Sequence, residues 1–318
     1  MWIDEFVKKL FPIDVRDVKY DEACALLNKN IPSSLYKYKA YNDYALTNLK
    51  EDTIWFNKSS ALNDPYDCSL TFDISKHAKK RAVDLAIDIL VKGYKPEMPE
   101  EELKKLYALE YEKVLEFGLS LDHDLSSKPD EIQKFVQFTS ALLDRSNSDF
   151  LTSLIERSQE GNFLSCFSEI NDSILMWSHY THNHQGFCLE YDFRQTVLER
   201  PLSIVPVIYS NQVVDISEYL LYSFQVGDFN GHVFKYAAMN KSTEWSYEKE
   251  WRIIVPFALY EGGGFNYSFA PIKAIYLGTK INSKHREEIL EIAREKQINV
   301  FQMIMKRNEF KLYQEQIL

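Results

Sequence analysis

The chain has 318 residues, of which 45% are hydrophobic and 26% are charged, as in ordinary globular proteins. That length is enough for a large hydrophobic core in one or two domains. The formal net charge of -10 argues against broad electrostatic binding to nucleic acid, because phosphate backbones attract basic surfaces. Asp4 and Glu5 stand where a secretory signal would be basic, and no long apolar run follows. We therefore expect a cytoplasmic protein without membrane contact.

Glycine-rich phosphate loops and closely spaced cysteines are both missing from the sequence. No GxGxxG and no GxxxxGK[ST] pattern occurs, which argues against Rossmann and P-loop enzymes. The four cysteines lie far apart and form no CxxC pair, so we expect buried, reduced thiols as in cytoplasmic proteins. They are Cys24, Cys68, Cys166 and Cys188.

The first part of the chain, before residue 75, mixes helical and extended patterns. Trp2, Phe6 and Leu10 recur at helical spacing, which predicts amphipathic helices within residues 1–30. The NDPYD segment, residues 63–67, predicts a turn, because Asn, Asp and Pro each favour turns. The other elements predicted in this part are strands at 34–39, 53–57 and 68–74 and a helix at 43–50.

Residues 75–160 differ from the rest of the chain because strand patterns vanish and charge becomes dense. Breaks at 93–99 and 126–129 divide the segment, which predicts an insertion of about four helices. We expect this insertion to interrupt a single α+β domain that spans residues 1–318. Such a helical segment could close over a site or bind a partner protein.

The central stretch of the sequence reads as strand, helix and strand. Asp172 is the expected N-cap of the helix, because its carboxylate can accept from amides of the first turn. Trp177 and Tyr180 lie three residues apart, together with Ile174, and we expect them to share one helical face. They would form a flat aromatic wall, which suits a planar ligand ring or a core. The predicted boundaries are 163–168, 173–182 and 186–192.

The C-terminal part continues as a mixture of strands and helices without steady alternation. We predict a flexible turn at 261–266 and a helix at 283–296 that is capped by Ser283. A strand begins near Trp251, and a final strand covers 300–305. The other predicted elements are strands at 203–209 and 272–278 and helices at 215–226 and 232–241. This order favours an α+β fold with a mostly antiparallel mixed sheet.

Glu248 and Glu250 are the first candidates for catalysis. In an extended chain, side chains two residues apart point to the same face. Two such carboxylates could polarise a hydroxyl group or orient a cationic intermediate, and their repulsion could raise one pKa. The alternative is a solvated, charged approach to the strand, with Lys249 and Arg252 as neighbours.

Lys37 lies between Tyr36 and Tyr38 on a predicted strand. A cation in this setting could bind a phosphate or a ribose hydroxyl. Because side chains alternate along a strand, the two tyrosines face one way and Lys37 the other. The alternative is a surface strand on which the lysine is simply solvated.

Two clusters contain residue types that bind metal ions. The turn cluster offers carboxylates for a divalent cation, but its proline favours a structural turn whose side chains cap their own backbone. Histidines three apart on a helix can share a metal, yet no Cys or Glu at metal spacing accompanies them. We therefore predict no metal site. The clusters are Asn63, Asp64 and Asp67, and His179, His182 and His184.

Taken together, six motifs resemble a widespread bacterial and phage family of domains of unknown function. The resemblance extends from about Ser34 to the final predicted strand. The helical insertion between these limits contains no strong motif of the family. The set is specific as a group, although each motif alone is weak. In chain order the motifs are LYKY, NDPYD, CFSE, MWSHY, GFCLEYD and WSYEKEWR.

A more distant resemblance, to the ADP-ribosyltransferase fold, implies split sheets and a chemistry. In that superfamily a His or Arg on the first strand holds the NAD ribose, and Lys37 stands at the matching position. A Glu at the start of a later strand orients the ribose hydroxyl and stabilises an oxocarbenium-like state. Glu250 matches this residue, and Glu248 resembles the first Glu of an ExE pair. The resemblance implies binding roles for Tyr36, Ser168, Ser173, Trp177 and Tyr180.

Three functions follow as hypotheses. The first is an NAD-consuming enzyme, a mono-ADP-ribosyltransferase or NAD glycohydrolase, which could act as a toxin or anti-phage effector. Its substrate would be the nucleotide NAD, and its acceptor a protein, a nucleic acid or water. The second is a metal-dependent nuclease, and the third is a non-catalytic sensor or interaction module in a defence system. The nuclease would use Asp64, Asp67, Glu248 and Glu250.

Overall fold

The protein has an α+β fold in the computed structural model, as the sequence predicts. The structure describes residues 2–73, 84, 87, 99–122, 124–228, 230–256 and 263–318. The helices described are α1 (Trp2–Leu10), α2 (Tyr20–Asn30), α3 (Asp43–Glu51), α4 (Glu100–Tyr107), α5 (Tyr111–Ser120), α6 (Pro129–Glu160), α7 (Ile174–Tyr180), α8 (Arg194–Glu199), α9 (Ser217–Val226), α10 (Val233–Met239) and α11 (Ser283–Lys296). The strands described are β1 (Leu35–Lys39), β2 (Ile54–Lys58), β3 (Leu70–Thr71), β4 (Asn162–Ser168), β5 (Phe187–Tyr191), β6 (Ile204–Pro206), β7 (Ile208–Ser210), β8 (Val214–Asp215), β9 (Asn240–Ser242), β10 (Glu250–Pro256), β11 (Phe265–Tyr267), β12 (Ile272–Leu277), β13 (Asn299–Met305) and β14 (Leu312–Gln316).

The main sheet is mixed and mostly antiparallel. Its strand order is β11-β2-β4-β1-β5-β12-β13-β14, and β10 and β6 extend it from β4. In this sheet the described pair β12 and β13 is parallel, and α11 connects these two strands. The hydrophobic runs of β4 and β5 are buried along nearly their full length, as expected for central strands.

The sheet splits beside β4. Strand β10 pairs with the whole of β4, from Ser168 to Asn162. On the opposite edge of β4, β2 pairs only at Phe163 and Leu164, whereas β1 pairs only at Ser168. Strands β1 and β2 therefore diverge and leave a gap beside residues 165–167, where β4 has no partner on that edge among the described strands.

The core of the sheet-containing part is aromatic-rich, as the composition suggests. Helix α1 buries Phe6 and Leu10 completely, which confirms the predicted helical spacing. Trp2 stacks on Trp251 of β10, with ring centroids 6.2 Å apart. Helix α1 thereby packs against the strand that begins with Glu250, one of the candidate carboxylates.

The chain divides into two compact units. One unit comprises residues 1–70, 157–214 and 226–318, and contains the main sheet. The other comprises residues 71–156 and 215–225, and contains α4, α5 and α9. The predicted helical insertion, residues 75–160, falls largely in the second unit, and most of its first 24 residues lie outside the described ranges. The single domain and the insertion boundaries remain predictions.

Within the described ranges, every helix is too short or too polar to cross a lipid bilayer. This includes α6, which has 32 residues but contains charged side chains along its length.

Several predicted boundaries need correction. The strand predicted at 203–209 is interrupted and forms β6 and β7. Strand β11 occupies part of the turn predicted at 261–266, whose first two residues lie outside the described ranges. Strand β14 follows the strand that was expected to be the last. Of the strand predicted at 68–74, whose last residue lies outside the described ranges, the described part contains only β3. Helix α7 ends at Tyr180 because residues 182–184 all have positive φ angles.

Two helix caps also differ from the prediction. Helix α7 is capped by Ser173, whose hydroxyl accepts a hydrogen bond from the Met176 amide, and not by Asp172. Helix α11 is capped by Asn282, whose side-chain oxygen accepts from the His285 amide at 2.8 Å. Cap and first-turn residues of similar chemistry stand side by side, so the sequence alone does not separate them.

The cap of α11 gives a direct test of this correction. Replacing Asn282 by alanine is expected to lower the free energy of unfolding by about 1 kcal/mol, because an amide of the first turn loses its acceptor. Replacing the neighbouring Ser283, which is already helical, should change it by less than about 0.5 kcal/mol. Urea denaturation of both variants measures these values, and equal losses would contradict the assignment of the cap.

Candidate functional site

The gap between β1 and β2 opens into a cleft of about 300 Å³. This volume lies at the lower end of the range of ligand-binding pockets. Strand β4 forms its floor, and side chains from β1, β2, α7 and the start of β10 form its walls. The described residues that line it are Tyr36, Lys37, Tyr38, Lys39, Trp55, Asn57, Leu62, Asn63, Asp67, Leu164, Ser165, Cys166, Phe167, Ser168, Met176, Tyr180, Lys241, Glu248 and Glu250.

Six of the eight predicted site residues line this cleft, although they come from four distant segments of the chain. Strand β1 supplies a cation, β4 a hydroxyl, α7 a phenol, and the entry to β10 two carboxylates. The six are Tyr36, Lys37, Ser168, Tyr180, Glu248 and Glu250.

Trp177 and Ser173 do not line the cleft, and the predicted aromatic wall must be corrected. The Trp177 side chain is completely buried, makes an edge contact with Tyr38, and donates from Nε1 to the Asn171 carbonyl. Residues three apart on a helix differ by roughly 60° in direction. Trp177 therefore reaches the core while Tyr180 reaches the cleft, and Ser173 serves as the helix cap.

Lys37 crosses the split in the sheet. Its Nζ donates to Ser165 Oγ at 2.9 Å and to the Cys166 carbonyl at 3.0 Å, and lies 4.9 Å from the centre of the Phe167 ring. Burial lowers the pKa of the Lys37 ammonium. In its charged form the side chain has three N–H donors, and two of them are used by Ser165 and Cys166, which leaves one for a ligand. Lys37 is thus not the solvated surface lysine of the alternative interpretation.

Tyr36 and Ser168 mainly support the site. The Tyr36 ring packs edge-on against Tyr276, on the strand face opposite Lys37. Ser168 is fully buried; its hydroxyl donates to the Glu248 carbonyl at 2.6 Å and accepts from the Ile170 amide. The Ser168 hydroxyl therefore fixes the backbone from which the Glu248 side chain projects.

The carboxylates of Glu248 and Glu250 lie close together, but the chain between them is not extended. Glu248 ends a 3₁₀ helix, Thr243–Glu248, and Glu250 begins β10. Lys249 between them has a φ of 46°, in the left-handed region. The extended geometry considered for this pair is therefore not the one found. The solvated alternative is wrong, because both carboxylates are almost completely buried.

Two basic side chains hold the carboxylates together. Lys241 Nζ donates to Glu248 Oε2 at 2.7 Å and to Glu250 Oε2 at 3.0 Å. Arg252 Nε donates to Glu250 Oε1 at 2.8 Å, and its Nη2 donates to Asp67 Oδ1 at 2.5 Å. All five side chains are buried. Two cations thus face three carboxylates, which leaves one proton to be shared or one negative charge in excess.

The two glutamates have opposite pKa shifts. Burial opposes ionisation of Glu250, but Arg252 and Lys241 hold its pKa at about 2. Burial raises the pKa of Glu248, and the charge of Glu250 adds to this effect against the attraction of Lys241. Glu250 therefore stays ionised, and Glu248 is the carboxyl group that can exchange a proton.

Tyr180 connects Glu248 to the cleft. Its hydroxyl donates to Glu248 Oε1 at 2.5 Å and accepts from the Asn63 side-chain amide at 3.2 Å. Burial and the Glu248 charge raise the pKa of Tyr180, so the phenol stays protonated as a donor. A ligand hydroxyl that displaced this donor would find a carboxylate oxygen positioned by Lys241.

The acidic turn residues lack the geometry of a metal centre. Over the described ranges, no group of three or more His, Cys, Asp or Glu side chains could hold a metal ion. Asp64 and Asp67 are both buried, and Asp67 pairs with Arg252 instead. Three of the four carboxylates proposed for a nuclease, Asp67, Glu248 and Glu250, are thus held by cations of the chain itself.

Four residues of the cleft walls, among several that were not predicted from the sequence, carry cationic, amide or indole side chains. Lys39 and Trp55 could have been found, because Lys39 shares a strand face with Lys37 and Trp55 lies between the buried Ile54 and Phe56. Lys241 carries no local signal, since its role depends on contacts formed only in the fold. The four are Lys39, Trp55, Asn57 and Lys241.

The thiols agree with the predicted reduced cysteines. All four are free, and Cys24, Cys68 and Cys188 are buried, whereas Cys166 is half-buried on the floor of the cleft. Burial raises the pKa of the Cys166 thiol, so it stays neutral beside Lys37.

A family model described as a protein of unknown function (DUF2971) matches residues 176–253. This segment contains Tyr180, Lys241, both glutamates and Arg252. It covers only about a quarter of the chain. The match agrees with the predicted resemblance to a domain of unknown function. No curated protein and no solved structure matches the chain significantly.

Proposed function

We propose that this protein consumes NAD, as a mono-ADP-ribosyltransferase or an NAD glycohydrolase. The observation that carries the proposal is the convergence of Lys37, Tyr180, Glu248 and Glu250 on one cleft at the split of the sheet. The order of these residues along the chain supports it, because it resembles that of the ADP-ribosyltransferase superfamily. The two alternatives have weaker support. Three of the nuclease carboxylates, Asp67, Glu248 and Glu250, pair with cations of the chain itself, and Tyr180 lines the cleft instead of the core.

In the proposed reaction, the bond between nicotinamide and ribose C1 breaks and nicotinamide leaves with the bonding electrons. Positive charge develops on the ribose, and an acceptor then forms a new bond to C1 and releases a proton. Buried carboxylates can stabilise such a charge because few water molecules screen it. The acceptor is water in a glycohydrolase, and a protein or nucleic acid in a transferase.

The residues would divide this work. Glu248 would accept a hydrogen bond from a ribose hydroxyl in place of the Tyr180 phenol, and Glu250 would supply a permanent negative charge. The free N–H of Lys37 would bind a ribose oxygen from the opposite wall. Lysine lacks the planar donor geometry of His or Arg. Lys37 would therefore donate a single hydrogen bond to the ribose, from a compact ammonium group.

Nicotinamide release tests the proposal. Purified protein is incubated with NAD in the presence of EDTA, and free nicotinamide is measured by chromatography, with and without added protein acceptors. We expect release that is insensitive to EDTA. A protein that releases no nicotinamide under any of these conditions, or only after addition of a divalent metal, would contradict the proposal.

A further inference from the structure

Lys39 occupies the end of the cleft away from the glutamates, on the same face of β1 as Lys37. It is half-buried, and its Nζ donates to Asn48 Oδ1 at 2.8 Å. The amide nitrogen of Asn48 donates to Thr53 and Asn266, so the orientation of Asn48 is fixed with its oxygen toward Lys39. The fold therefore holds the Lys39 nitrogen in one place, and Asn48 is its one acceptor among the described residues.

Lys37 and Lys39 have no carboxylate partner in the part of the chain that the structure describes, in contrast to Lys241, the third lysine of the cleft. Neither Lys37 nor Lys39 lies within ion-pair distance of a carboxylate there. Their attachment points are about 7 Å apart, because they are separated by two residues of a strand. Burial lowers the pKa of Lys39 to about 7, and the charge of Lys37 contributes. Since burial favours the neutral amines, a bound anion would stabilise their charged forms and would be held by them in turn.

An exposed aromatic ring lies on the facing wall. Trp55 of β2 lines the cleft and is 42% exposed, although its neighbours Ile54 and Phe56 are fully buried. The backbone of Gly264 lies against the indole, since a Cβ at that position would be 2.4 Å from Trp55 Cζ2. The ring is thus supported by the chain on one side and can take a planar group by stacking.

We propose that this end of the cleft binds the adenylate half of the substrate, with a phosphate on Lys39 and the base stacked on Trp55. The inference rests on the proposed function, because it assigns the nucleotide half that is not cleaved. The nicotinamide ribose would then lie toward Tyr180 and Glu248. The positive potential of Lys37, midway along β1, favours the phosphate groups that connect the two halves.

Isothermal titration calorimetry with ADP and with inorganic pyrophosphate tests this inference without any turnover. Wild-type protein is expected to bind both. Lys39→Met should weaken binding of both ligands about tenfold or more, because each loses a charge-assisted hydrogen bond. Trp55→Ala should weaken ADP binding by a similar factor but leave pyrophosphate binding unchanged, since only ADP carries a base.

Matched surface variants control for the loss of charge and of an aromatic ring. Lys50→Met and Tyr44→Ala remove exposed side chains of α3, and both should bind ADP like the wild type. Thermal melting of Lys39→Met establishes that it is folded, and the exposed Trp55 provides a second variant if it is not.

The outcomes separate this inference from the proposed function. Wild-type protein that fails to bind ADP, or that binds it equally well after Lys39→Met and Trp55→Ala, overturns the adenylate site even if nicotinamide is released. Binding with the expected pattern, but without any release of nicotinamide from NAD, keeps the site and overturns the proposed reaction.

Discussion

The Arg252→Met substitution is expected to lower the free energy of unfolding by about 3–5 kcal/mol relative to the wild type. Arg252 is completely buried and pairs with both Asp67 and Glu250. Its Nη1 also donates to the Ala238 carbonyl at 2.9 Å. Methionine fills a similar volume but leaves two carboxylates and a carbonyl oxygen without this donor. The loss is large because an unpaired charge remains in a site from which water is excluded.

Arg194 supplies the matched control for this measurement. It also makes a two-armed contact with a carboxylate, that of Asp192, but its side chain is 57% exposed. Arg194→Met should therefore cost less than about 1 kcal/mol, as exposed ion pairs do. Chemical denaturation of both variants gives the two values. Similar losses for both would mean that the buried network does not stabilise the fold as we describe.

The Glu248→Gln variant is expected to release nicotinamide from NAD about 100-fold more slowly than the wild type, or slower still. The substitution keeps the size of the side chain and removes its charge. Lys241 retains Glu250 as an ion-pair partner, so the fold should tolerate the change. The loss should appear in kcat, because the carboxylate acts on charge that develops only in the transition state.

Glu244→Gln is the control for this substitution. Glu244 lies in the same 3₁₀ helix but is exposed, so its variant should release nicotinamide at the wild-type rate. If Glu248→Gln and the wild type release nicotinamide equally fast, the role assigned to Glu248 is wrong. A loss of the same size in both variants would point to a change in the helix and not in the charge.

Local patterns predicted the elements that build the cleft, because hydrophobic periodicity is a property of short segments. Strand β4, helix α7 and strand β5 lie close to their predicted positions. The predicted aromatic wall of Trp177 and Tyr180 is wrong. An i,i+3 spacing places two residues near the same helical face but does not determine which part of the fold each side chain contacts. That information depends on the strands packed against α7, including Tyr38 of β1.

Long-range contacts account for most of what the sequence did not predict. The ion network joins Asp67 to Arg252, which lie 185 residues apart along the chain. Lys241 contacts both glutamates only because Lys249 adopts a left-handed conformation that sequence patterns rarely require of lysine. The exposed Trp55 and the half-buried Lys39 were likewise read as ordinary strand residues, since the split between β1 and β2 arises from strand pairing.

A crystal structure of the Glu248→Gln variant, frozen soon after a short soak with NAD, tests the central claim most directly, because this variant should bind the nucleotide and consume it only slowly. We predict NAD in the cleft between β1 and β2, with its nicotinamide ribose within hydrogen-bond distance of residue 248 and near Tyr180. Nucleotide bound at any other surface of the protein, with this cleft empty, would contradict the claim.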